Sequence, residues 1–243
     1  MKTIHQTAVF EAKSVGENVT VGAYAVIEGQ VRLGNNVKIH SHVVLTGLVE
    51  IEDNVEILPF AYIGRLPSRS PTIKHLSEKS VSLTKIGRGT VIGPHAILYA
   101  GCNLDEECLV GDAASIREGV IVESRVIVGR HVTIGPNVKI GARSRIVDFA
   151  HITGETIIGE DVFISTHVCS ANDNSFASGD NIVLKGQRIG NRAHIGLGAM
   201  LLPGVSIGED SVIGAGSIVT KDIPAAKLAF GQPAKAIRDL RSK

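Results

Sequence analysis

The chain has 243 residues, with 25 Lys and Arg against 24 Asp and Glu and a formal net charge of +1. Dispersed charges of this balance give no basic footprint for nucleic acid, and Gly or a charge breaks every apolar stretch before it is long enough for a bilayer span. Aromatic residues are 4% and Trp is absent, so the core is built from small aliphatic side chains.

Met1 to Ser14 lacks the apolar stretch of a secretory leader and is expected to form an N-terminal cap. From Val15 an aliphatic residue returns at every sixth position: Val15, Val21, Ile27, Leu33, Ile39 and on to Ile63. A second run keeps one register from Ile86 to Ile164, and a third runs from Ile189 to Val219. Four residues after each aliphatic comes a small or β-branched residue, as at Val19, Ala25, Thr90, Ser144 and Ala193. A period of six fits neither the 3.6 of a helix nor the 2 of a half-buried strand; it is the period of a hexapeptide parallel β-helix. Three hexads close one triangular coil, with the aliphatics stacked inside and the small residues in the tapering corners. Coils pair at ~4.8 Å, so nearly ten of them make a prism roughly 45 Å tall.

Two interruptions leave the prism. The first ejects residues 69–85, with Pro71, His75, Lys79 and Lys85; the second ejects 170–188, with Ser170, Asn172, Asp173, Lys185 and Arg188. Long loops on a rigid scaffold are where function concentrates. The expected organisation is therefore a β-helix over 1–223 with an N-terminal cap and two insertions, then a tail over 224–243 expected to form a short helix. Cys102 and Cys108 fall in the small inward column, and Cys169 has no CxxC or His spacing partner, so the thiols read as reduced and the location as cytoplasmic. His95, His131 and His167 recur two coils apart, about 9–10 Å. Two nitrogens on one zinc lie about 3.3 Å apart, so one chain holds no metal site there and no metal cofactor is expected.

These repeats resemble the left-handed β-helix hexapeptide-repeat acyltransferases. The left hand comes from that resemblance, because ordinary sheet crossovers favour the right. The closing stretch Ala215–Pro224, followed by Phe230-Gly231-Gln232-Pro233-Ala234-Lys235-Ala236-Ile237, is similar to the end of the coenzyme-A-dependent members. That likeness implies acetyl-CoA or CoA as co-substrate, bound along the last coils in a groove between subunits of a homotrimer. Gly198, Ala199, Ala215 and Gly216 would line it, with Lys221 and Lys235 at the phosphates.

Two further segments bear on the acceptor. Ala150-His151-Ile152-Thr153-Gly154-Glu155 stands where lipid A acyltransferases carry Ala-His-Ile-Ala-His-Asp, and here Gly154 takes the catalytic histidine's place. Val162 to Asp173 resembles the Phe-Thr-Asn segment of enzymes that acetylate 3-amino sugars on nucleoside diphosphates. The resemblance implies that Asn172 contacts the reacting amine and Asp173 holds the loop or the sugar; downstream, Asn174-Ser175-Phe176 departs from that branch's Pro-Arg. His151 and His167 are the reserve general bases. The implied activity is N-acetylation of a nucleotide-linked (UDP or dTDP) amino sugar in surface-polysaccharide or glycoside biosynthesis, with no membrane insertion and no nucleic-acid partner. The alternatives are O-acetylation of a sugar hydroxyl with a His base and a non-enzymatic scaffold subunit.

Overall fold

The computed structural model describes residues 2–68, 82–175 and 183–241. They form three sheets of 13, 11 and 10 strands, parallel except for the last strand of the first and each visited once per coil. The first face runs from Thr3–Ile4 and Thr20–Val21 to Phe163–Ile164, His194–Ile195 and Val212–Ile213. The second runs from Val9–Phe10 to His151–Ile152, Cys169–Ser170, Met200–Leu201 and Ile218–Val219. The third runs from Ser14–Val15 to Arg188–Ile189 and Ser206–Ile207. Strand partners repeat at the sequence period, as in Leu109↔Ile127↔Arg145↔Phe163, and the ladder continues across the second insertion as Phe163↔His194.

The hexad sets which side chains face inward. Ile27, Leu45, Ile63, Ile86, Leu104, Ile116 and Ile164 are completely buried, and so are the corner-fillers Val19, Ala25, Ala96 and Ala193. Polar corner-fillers are paired rather than orphaned: Ser144 Oγ donates to the Gly159 carbonyl at 2.8 Å and Ser211 Oγ to Pro224 at 2.8 Å. Among the described residues no buried side-chain nitrogen or oxygen lacks a hydrogen-bond partner, as the cost of burying an unsatisfied group requires. Cys102 and Cys108 lie in the core as expected, and Cys169 is exposed.

Two edges of the prism turn through residues in the left-handed region whose side chains stack into rows. Asn18, Asn36 and Asn54 (φ 54–60°) pass amide hydrogen bonds up the edge between the third and first faces at 3.2 and 3.0 Å. Higher on that edge, Arg125 pairs with Glu107, Arg143 with Glu160 and Asp161, and Arg192 with Glu209 and Asp210. The edge between the first and second faces carries rings: Tyr24, His42, Phe60 and His95, then Ala113, then His131, Phe149 and His167. Successive ring centroids lie 4.8–5.2 Å apart and the planes within 21° of parallel. Such rows hold flat stacked sheets against their natural twist.

Three expectations change. The first coil begins at Thr3, because Thr3–Ile4 and Val9–Phe10 pair with Thr20–Val21 and Val26–Ile27, so the N-terminal residues cap by adding a coil. The excursions are shorter than the broken hexads suggested, since Lys85 lies in Thr84–Ile86, Ser170 in Cys169–Ser170 and Arg188 in Arg188–Ile189. His75 and Lys79 fall outside the described residues. The tail is no helix: Lys227–Gly231 adds in parallel to Val212–Ile213 and Ala234–Asp239 returns antiparallel. Gly231 (φ 104°) and Pro233 break any helical turn, and the hairpin covers the last open strand edge of the first face. Among the described residues no helix is long and apolar enough to cross a membrane.

Candidate functional site

Most of the residues singled out in the sequence border the upper half of the second face. Both insertions leave from its edge with the third face, after Tyr62–Arg65 and after Cys169–Ser170. On the sheet itself Thr133, His151, Cys169 and Met200 stand one above another in register. His167 lies at the opposite edge, with φ 58°, and Gly198 (64°) and Gly216 (66°) occupy the same corner on the next two coils. The second face therefore separates His167 from Asn172.

The loop edge is built around a buried amide. Gln187 is fully buried in the column of corner-fillers. Its Nε2 donates to the carbonyls of Ala171 at 2.7 Å and Leu202 at 2.9 Å, and its Oε1 lies 2.9 Å from the Thr156 hydroxyl. The start of the second loop is thereby tied to the last coils. Asn172 then passes its carbonyl to the Lys185 N–H at 2.8 Å and its Nδ2 to the Gly154 carbonyl at 3.4 Å. Asp173 accepts from the Ser175 N–H at 2.6 Å and from the Ser175 hydroxyl at 2.5 Å, so it holds the loop's turn. Asn172, Asp173, Asn174, Ser175, Val183 and Lys185 line an open cleft of about 290 Å³.

His151 stands between the two edges. Its Nδ1 is 2.6 Å from the Thr133 hydroxyl, and packing around the ring holds its protonation below the ordinary histidine range although its outer side is exposed. With Nδ1–H donated to Thr133, Nε2 keeps its lone pair for a substrate proton. Thr133 escaped the sequence reading, although its place one 18-residue repeat below His151 was the available signal. Gln187 escaped too, as the one amide in an inward column of small residues.

At the other edge, a Cβ added at Gly198 or Gly216 would meet nothing within 4 Å, whereas at Gly196 it would come 2.6 Å from the Ala215 nitrogen. Gln232 Nε2 donates to the Gly216 carbonyl at 2.8 Å, so the hairpin turn roofs this open corner. Ala215 is exposed beside it, while the Ala199 methyl is fully buried and offers a cofactor no side-chain contact. Lys221 and Lys235 are both exposed but not side by side. Lys221 follows Ile218–Val219 at the loop edge, and Lys235 lies on the outer strand of the hairpin. Among the described residues no three His, Cys, Asp or Glu side chains gather to hold a metal ion.

Comparison with known proteins agrees with the repeat. Residues 13–47 match the family model described as bacterial transferase hexapeptide (six repeats), and 187–221 match the hexapeptide repeat of succinyl-transferase. The galactoside O-acetyltransferase of Escherichia coli is 53% identical over 55 residues, 23% of this chain and 27% of that one. The bifunctional protein GlmU of Rubrobacter xylanophilus is 36% identical over 98 residues, 40% of this chain and 19% of that one. The chain thus spans about a quarter of the length of the curated relatives it matches. Among solved structures, the UDP-N-acetylglucosamine acyltransferase from Campylobacter jejuni aligns over 98% of this chain and 75% of that one, at 18% identity and a TM-score of 0.44. The described coils between these two segments keep the same repeat, and the chain is similar to acetyltransferases that carry it.

Proposed function

We propose that the protein is a CoA-dependent acyltransferase that moves an acetyl group from acetyl-CoA to the amine of a nucleotide-linked amino sugar, working as a homotrimer. The thioester arm enters over Gly198 and Gly216, and the acceptor lies in the loop cleft. One observation carries this reading: Asn172 stands over Gly154, the position at which the O-acylating relatives have their histidine, and gives Nδ2 to its carbonyl. Its Oδ1 is then the group that accepts an N–H from the attacking amine. The neutral amine attacks the thioester carbonyl, the carbon–sulfur bond breaks, and the amine's proton leaves to the departing CoA sulfur or to solvent. Lys221 and Lys235 act on different parts of the ligands or in different subunits, since one chain does not place them together.

The test is release of free CoA thiol with UDP- and dTDP-amino sugars, measured against the corresponding hydroxyl sugars. Asn172→Ala is expected to lose roughly 10²–10³-fold in turnover if the side chain supplies an oriented hydrogen bond in the transition state. The wild-type rate should rise with pH through the amine's own ionisation. A healthy Asn172→Ala variant removes the assignment.

The Thr133–His151 contact favours a second reading, transfer to a sugar hydroxyl with His151 as base. A histidine whose protonation is held low is already neutral below the usual range. The midpoint of that reaction's rise with pH would lie on the acid side of the ordinary histidine value of about 6.5, and His151→Ala would be the inactive variant.

A further inference from the structure

The ring row on the edge between the first and second faces ends abruptly at His167. Seven rings occupy this edge below it or at it, on backbone with φ between 55° and 65°. Gly198 and Gly216 continue the edge at 64° and 66°, a conformation that Phe60 (65°) and Phe149 (61°) adopt with full side chains. The backbone therefore does not require glycine at either position. Close packing does not require it either, because a Cβ there meets nothing within 4 Å, whereas at Gly190 or Gly214 it would lie 2.6 or 2.7 Å from its nearest neighbour. Two successive rungs are thus left out, an open height of about 10 Å. Below them is the upper side of the His167 ring, whose lower side already stacks on Phe149 at 5.2 Å. The Gln232 amide fixed to the Gly216 carbonyl stands above.

We propose that His167 is a stacking platform and not a base: the planar amides of an acyl-CoA's pantetheine arm lie in the two vacant rungs, the lower one flat on the His167 imidazole. The inference rests on the acetyl-CoA reading and extends it by giving His167 and the two empty positions a task. A thin arm of flat amides suits a slot whose depth is one ring and whose height is two coils. His167 works there as a π-surface, so its protons take no part in transfer. A ring supplied by the protein at Gly198 would fill the space the ligand needs.

The experiment is calorimetric binding of two probes, CoA and adenosine 3′-phosphate 5′-diphosphate, which lacks the arm, to wild type, His167→Ala, His167→Phe and Gly198→Phe. His167→Ala should weaken CoA about three- to tenfold and leave the truncated probe unchanged. His167→Phe should stay within about twofold of wild type in CoA affinity and keep the same pH–rate profile. Gly198→Phe, which only completes the row, should melt no lower than wild type and lose CoA binding. If His167→Ala binds CoA as tightly as wild type, the platform is overturned while the acetyl-CoA reading stands. If the truncated probe weakens equally, the ring serves the adenosine end and the proposal is wrong. If His167→Phe changes the pH profile, His167 is a base. Wild type that binds no CoA overturns both readings.

Discussion

Gln187 is the point at which the solenoid and its second insertion are fastened together, and replacing it with Met isolates that fastening. Met preserves most of the side-chain volume, so little cavity forms, but the amide is lost. Two part-buried carbonyls then lose the amide, those of Ala171 and Leu202, while the Thr156 hydroxyl keeps the Thr153 carbonyl at 2.9 Å and the Leu202 carbonyl keeps a long bond from the Val205 N–H at 3.4 Å. At about 1–1.5 kcal/mol for each of these carbonyls, the cost is about 2–3 kcal/mol. For a chain of this length that is a fall in melting temperature of about 4–12 °C if the whole solenoid unfolds as one unit. A solenoid couples chiefly neighbouring coils, so part of the cost should appear as local opening instead. Thermal unfolding by circular dichroism measures the first part. Amide hydrogen exchange of 171–175 and 185–189, set against the coils over 120–140, measures the second. A variant that melts within about 1 °C of wild type and exchanges no faster at the loop base would show that Gln187 bears no such load.

The other expectations can be checked with simple reagents. In the native protein only Cys169 should react readily with a thiol-specific dye, because Cys102 is fully buried with its ionisation pushed far up, and burial pushes the Cys108 thiol up to about 11; rapid reaction of all three would contradict the inward column. Stability should also fall at acid pH. Asp161 and Asp210, held low by Arg143 and Arg192, and Asp148, held low first by the Arg130 backbone N–H, have native pKa values below their unfolded ones. Their contribution is complete above the ordinary carboxylate range of about 4 and is lost as pH drops through the depressed values, so a melting temperature that stays flat from neutral pH to pH 2 would refute the edge pairs.

The architecture was readable because a six-residue period leaves few alternatives. Each wall contributes one inward aliphatic, and one misplaced residue would put a charge in a core that has no room for it. The N-terminal coil hid because its inward residues, Ile4 and Phe10, lie before the regular run and are only partly covered or exposed. The hairpin hid because Ala234 to Asp239 has helix-forming composition, and its strand pairing depends on an open edge at Val212–Ile213 that no local pattern announces. The ring row was half visible. The 36-residue spacing of His95, His131 and His167 was apparent and too wide for one metal ion; it is Phe149, stacked between two of them, that makes the row a column of rings. Asn172 and Asp173 could be named from a motif; that Asp173 spends its carboxylate on Ser175 depended on a loop path that composition does not set.

One property of the fold reaches beyond any single residue. Both insertions spring from the same edge, and five successive strand pairings separate their points of departure, about 24 Å along the axis. Because every wall repeats at the same interval, deleting or duplicating one 18-residue unit between them would bring the two loops nearer or move them apart by ~4.8 Å while returning each neighbouring row to register. The fold behaves as a graduated rod on which two fittings slide in fixed steps. A lineage built on it can refit the gap between its loops to a shorter or longer ligand without redesigning the core, by a change that reads in the gene as nothing more than a gained or lost repeat.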